Sequence, residues 1–222
     1  MSLNKRLKYL GETMWANACR ETAHACEKAL KNHAHFATED GAILNAPSAL
    51  PDCDLMTPEG ELCSVSDLVG GRDAALLFFR GGWCPFSTTS MRALETVRPD
   101  LAALGVSVLG ITPQRHAALA GVIARNGLGF PLVTDPGQKL AEAMGVRVPI
   151  IPEMIEMYRR QGSDLAELNE TGDWALPLEA TFIVDRAGRI VVANAYPYPT
   201  RRMEPEELLA AAKQLADSRE LI

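Results

Sequence analysis

Within the 222-residue chain, the stretch 80-RGGWCPFSTTS-90 holds its most reactive combination of residues. Cys84 follows a tryptophan and precedes a proline, a residue accepted in the first turn of a helix. A cysteine at a strand-to-helix junction sits where unpaired backbone N–H groups and the positive end of the helix dipole favour an anion. Such a thiol ionises more readily, and its thiolate attacks a peroxide oxygen or a disulfide sulfur faster. Trp83 is expected to shield one side of the sulfur, and Ser87 and Thr88 to offer it hydroxyl donors. Arg80, four residues before Cys84, is read either as a compensating charge or as a solvated strand end.

The other four cysteines are read as packing residues. Cys19, Cys26 and His33 recur every seven residues on one helical face, about 10.5 Å apart at each step, too far for a disulfide or one ion. Cys53 and Cys63 flank a hairpin-like 54-DLMTPEGEL-62 and are expected to be reduced. The four histidines show no metal-ligand spacing, so no metal and no cofactor is expected.

The elements that must position Cys84 follow from hydrophobic period. Residues 3 to 34 carry a helical apolar stripe with Gly11 as the expected break, and 37–52 reads as linker, giving an N-terminal helical extension over 1–47. From Ala74, AALLFF reads as a strand buried on both faces. A helix kinked at Pro99, a strand at 105–111, a helix at 114–127 and a short strand at 131–135 follow. A hairpin over 180–194 and a closing helix over 204–218 complete the pattern. The implied class is α/β, a mixed central sheet with helices on both faces. Net charge −6 with scattered basic residues gives no footprint for nucleic acid or an anionic membrane. The amino-terminal segment lacks a signal-peptide apolar run, and an odd cysteine count argues against a disulfide scaffold, so the expected location is cytoplasmic.

Four local patterns in this order resemble the thioredoxin-like fold of the alkyl hydroperoxide reductase / thiol-specific antioxidant (AhpC/TSA) family, in its peroxiredoxin-like group. They are 50-LPDCDLMTPEGELCSVSDLVG-70, 78-FFRGGWCPF-86, 130-FPLVTDPGQKLAEAMGV-146 and 181-TFIVDRAGRI-190. The resemblance implies one domain over 48–222 with a subgroup insertion at about 147–178, whose Met-rich 151-IPEMIEMYRR-160 is read as a lid, a subunit contact or ordinary packing. It also implies reduction of hydroperoxides through a Cys84 sulfenic acid. Three positions depart from the family. Relatives have a second cysteine where this chain has Ser87, threonine where it has Gly81, and arginine or cis-proline where it has Glu179. A carboxylate facing the sulfur opposes its ionisation. Without the second cysteine, the implied peroxidase is of one-cysteine type, reducing hydrogen peroxide or an organic hydroperoxide. Its sulfenic acid is then regenerated by a thioredoxin-like or low-molecular-weight thiol reductant. The alternatives are a thiol-disulfide oxidoreductase acting on proteins and a non-catalytic redox-sensing or binding module. The oligomeric state is open, a homodimer being one option.

Overall fold

The computed structural model describes residues 1–38 and 43–220, so part of the expected linker, residues 39–42, lies outside the described residues. Two helices, α1 (Leu3–Ala16) and α2 (Arg20–Thr38), precede the sheet. The helical stripe breaks at 17–19 and not at Gly11, which is buried inside α1 with Thr200 against it. The strands are β1 (Ser48–Ala49), β2 (Asp54–Met56), β3 (Leu62–Ser64), β4 (Asp73–Phe78), β5 (Val106–Thr112), β6 (Leu132–Thr134), β7 (Arg147–Pro149), β8 (Ala175–Pro177), β9 (Glu179–Val184) and β10 (Arg189–Tyr196). The helices among them are α3 (Val65–Val69), α4 (Pro85–Glu95), α5 (Arg98–Ala103), α6 (Leu119–Asn126), α7 (Lys139–Ala143), α8 (Pro152–Arg160), α9 (Leu165–Leu168) and α10 (Pro205–Glu220). Pro99 lies in the first turn of α5, so the expected single kinked helix is two.

Eight strands form one mixed sheet in the order β1-β10-β9-β4-β5-β6-β2-β3. β4, β5 and β6 run parallel, and β9, β10, β1, β2 and β3 join antiparallel. Every residue of β4 is buried, which is why AALLFF shows no polar alternation. Alternate side chains of β4 serve opposite faces. Leu76 and Phe78 pack with Phe182, Leu140 and Met144 on one face, and Leu77 and Phe79 with Met91, Leu94 and Leu208 on the other.

β7 and β8 pair antiparallel in a second, two-stranded sheet, closing α8 and α9 into one excursion. α2 packs on α8 and α1 on α4, so the two N-terminal helices reach both sides of the segment that carries Cys84. Among the described residues no helix is long and apolar enough to cross a membrane.

Candidate active site

Cys84 is the N-cap residue of α4, with Pro85 at the first helical position. Its N–H donates to the Gly81 carbonyl at 3.1 Å, and its carbonyl accepts from Thr88 N–H at 3.0 Å, closing the turn and the first helical bond. The two glycines before it are steric requirements. Gly81 has φ +153°, and a Cβ there would come within 2.3 Å of Trp83 Nε1; a Cβ on Gly82 would come within 2.4 Å of Val122 Cγ2. The space a side chain at Gly81 would need is taken by the Trp83 indole. Gly82 N–H donates to Gln114 Oε1 at 2.7 Å, so Gln114, buried after β5, fixes the turn from behind. Nothing in the sequence marked Gln114.

The hydroxyls expected to face the sulfur are otherwise engaged. Thr88 donates to the Pro85 carbonyl at 3.2 Å. Ser87, fully buried, donates to Glu179 Oε1. The other oxygen of that carboxylate accepts from Arg202 Nε at 3.1 Å. Glu179 therefore does not face Cys84 as a lone charge, because buried Arg202 neutralises it. Burial pulls the Arg202 guanidinium down while Glu179 holds it up. Arg202 donates further to the carbonyls of Tyr198 at 3.0 Å and Arg201 at 2.6 Å. Asn4 clamps the Arg202 backbone in both directions, at 2.7 and 3.0 Å, and so ties α1 into the same network.

Arg80 is not a solvated strand end. Its side chain hydrogen-bonds the Tyr158 hydroxyl, and its Nε is buried with no partner among the described residues. Burial works against its charge, but Tyr158, Cys84 and Glu179 together raise its pKa, so it stays cationic. Tyr158 comes from α8 and meets Trp83 edge to face with ring centroids 5.9 Å apart. Met154, Met157 and Tyr158 thus pack in one cluster with Trp83.

In front of Cys84 lies a cavity of about 380 Å³, walled by Met14 and Trp15 of α1, Cys26 and His33 of α2, and Met157 and Tyr158 of α8. Cys84 borders it with 4% of its surface exposed. Cys19, Cys26 and His33, read from sequence as plain packing residues, all line this chamber. Their period of seven was visible; that the face they share turns toward Cys84 was not. Burial raises the Cys26 thiol, with Arg80 opposing. Cys19 is exposed, and its thiol is lowered chiefly by the Thr22 hydroxyl 3.2 Å away. Burial, then Arg80, pushes His33 down to about 4, so it is neutral near pH 7. Cys63 pairs with Leu55 across the β2–β3 hairpin and not with Cys53, and all five cysteines are free.

A buried thiol at a helix start, beside a cation, suits nucleophilic redox chemistry, and comparison with known proteins agrees. Residues 47–193 match the AhpC/TSA family. The protein named "Putative peroxiredoxin bcp" of Haemophilus influenzae is 31% identical over 103 residues, covering 46% of this chain and 66%, just under two thirds, of that protein. The thiol-disulfide oxidoreductase ResA of Halalkalibacterium halodurans is 27% identical over 141 residues, covering 62% of this chain and 67% of that protein. Peroxidoxin BcpB of Mycobacterium tuberculosis shares the fold with a TM-score of 0.60 at 15% identity, over 79% of this chain and 97% of that one. With the match spanning the sheet and the Cys84 turn together, the chain belongs to the AhpC/TSA family.

Proposed function

We propose that this chain is a thiol peroxidase of one-cysteine type. The thiolate of Cys84 attacks the distal oxygen of a hydroperoxide, the O–O bond breaks, and the product is a sulfenic acid with water or an alcohol leaving. The observation that carries this reading is Cys84 at the N-cap of α4, at the wall of a chamber whose one charged lining residue among the described residues is Arg80. The helix start and Arg80 both stabilise the anionic nucleophile. Trp83 packs against the cluster that holds Cys84 and is itself met edge to face by Tyr158. Arg80, positioned by Tyr158, supplies the cation that relatives place where this chain has Glu179. Ser87 cannot resolve the sulfenic acid, since a hydroxyl does not form a disulfide, and an external thiol is required. We place the activity in the cytoplasm, in keeping with five free thiols.

The test is one equivalent of hydrogen peroxide or cumene hydroperoxide, a sulfenic-acid trap and peptide mapping. Labelling at Cys84 and loss of turnover in Cys84→Ser are expected. Dominant labelling at another cysteine overturns the site. The similarity to ResA favours a second reading, exchange with protein disulfides. Capture of a disulfide-bearing protein by Cys84 without peroxide turnover would decide for it.

A further inference from the structure

The walls of the chamber limit what can reach an oxidised Cys84. At about 380 Å³ it takes a small molecule, and Cys84 borders it with only 4% of its surface exposed. Its roof is α2 on α8, joined by the ion pairs Lys28–Glu153 and Glu21–Arg160 and by Cys26 against Met157. The first turn of α4 is held from two further sides. Leu3 and Leu7 of α1 pack with Phe86 and Cys84, and Ser87 is bonded to Glu179. Unwinding that turn to offer the sulfur to a protein partner would break both contacts.

The chamber is also electrostatically one-sided. The chain carries net charge −6, yet among the described residues those lining this space include no Asp, Glu or Lys, and Arg80 is the one charge among them. Among the described residues Arg80 Nε is buried without a partner, and so is Nδ1 of His33, a side chain only 8% exposed. A cation with an unused donor in a largely apolar enclosure selects a small anion with some apolar body.

Resting on the peroxidase reading, we propose that this chamber binds the reductant, and that the reductant is a low-molecular-weight thiol carrying a carboxylate rather than a protein dithiol. Its sulfur attacks the Cys84 sulfenic sulfur. An S–S bond forms, the S–O bond breaks, and the hydroxyl leaves as water with the thiol's proton. A second thiol then attacks the small molecule's sulfur in the mixed disulfide, releasing a small disulfide and the Cys84 thiolate. Two thiols are oxidised and the peroxide oxygen ends as water.

The experiment first forms the Cys84 sulfenic acid with one equivalent of peroxide. It then follows the loss of that acid on adding 3-mercaptopropionate, cysteamine or thioredoxin at equal concentration and fixed ionic strength. The same series is run on Arg80→Met, which cancels the intrinsic reactivity of each thiol. We expect 3-mercaptopropionate to outpace thioredoxin, and the ratio of its rate to that of cysteamine to fall by about tenfold in Arg80→Met. Should that variant fold poorly, Met157→Trp, which fills the chamber, is expected to slow 3-mercaptopropionate by a similar factor. Faster discharge by thioredoxin, or a ratio and a rate that neither variant changes, overturns the proposal while leaving the peroxidase standing. Failure to form a Cys84 sulfenic acid in the first step overturns both.

Discussion

Ser87 donates its hydroxyl to the carboxylate of Glu179, from α4 to the start of β9, with neither group more than 4% exposed. In the sequence, Ser87 and Glu179 stand as separate features. Two departures from the family pattern are one interaction.

Removing that donor leaves a buried carboxylate oxygen unsatisfied. Ser87→Ala is expected to cost about 2 kcal/mol of stability, read as a lower urea midpoint at unchanged slope. Thr88→Ala, which removes a partly exposed hydroxyl bonded within its own turn, is the control and should cost under about 0.5 kcal/mol. Equal costs for the two would show that the Glu179 contact contributes nothing.

Arg202 and Glu179 stand or fall together. Glu179→Leu leaves a buried guanidinium without its anion, and the expected loss is about 3–5 kcal/mol. Replacing both, as Glu179→Leu with Arg202→Met, should recover most of it, because neither unpaired charge remains. A double-mutant cycle in denaturant measures the coupling, and additive losses would refute the pairing.

How much of this was legible beforehand differs by residue, for physical reasons. The β4 strand and the α4 start were readable because a continuous apolar run and a following Trp-Cys-Pro depend on neighbours in sequence. The break between α1 and α2 was misplaced at Gly11, since a glycine that lets Thr200 approach looks the same in sequence as one that ends a helix. Glu179 was identified but set against the sulfur alone: its counter-charge, Arg202, is 23 residues away and reaches it only through the chain's return after β10. The chamber was not legible at all. Its walls come from α1, α2, α8 and the Cys84 turn, and the cysteine period on α2 carries no sign of which element it will face.

His33 gives the acid side of stability a signature. Its folded-state pKa of about 4 lies below the ordinary 6.5, first because it is buried and then because Arg80 is near, with a bond to the Pro197 carbonyl opposing. As pH falls from 6.5 toward 4 the unfolded chain binds a proton that the folded chain refuses, and stability declines. At about 1.4 kcal/mol per pH unit the full loss is about 3 kcal/mol. Asp135, raised to about 6 mainly by burial, works in the opposite sense between 6 and 3.8, so the bare pH profile mixes the two. The difference between wild type and His33→Gln isolates the histidine. A difference that does not grow on acidification would remove His33 from the account.

Cys19 and Cys84 should separate two kinds of thiol reactivity. Cys19 is exposed, and Thr22 lowers its pKa, so a bulky alkylating reagent at neutral pH is expected to modify it before Cys84, which is 4% exposed behind α2 and α8. One equivalent of peroxide should invert the order, because the small oxidant enters the chamber and there meets the Cys84 sulfur beside Arg80. Non-reducing peptide mapping of the same peroxide-treated sample then tests the one-cysteine mechanism. Native protein should show no intramolecular disulfide to Cys84, and excess peroxide should carry Cys84 on to sulfinic acid. Ser87→Cys should yield an 84–87 disulfide and resist that over-oxidation, at the stability cost of the lost Glu179 contact. Cys26 is the native thiol to watch, since it borders the same chamber. A Cys26–Cys84 disulfide in the wild type would replace the external thiol with an internal one and end the one-cysteine reading.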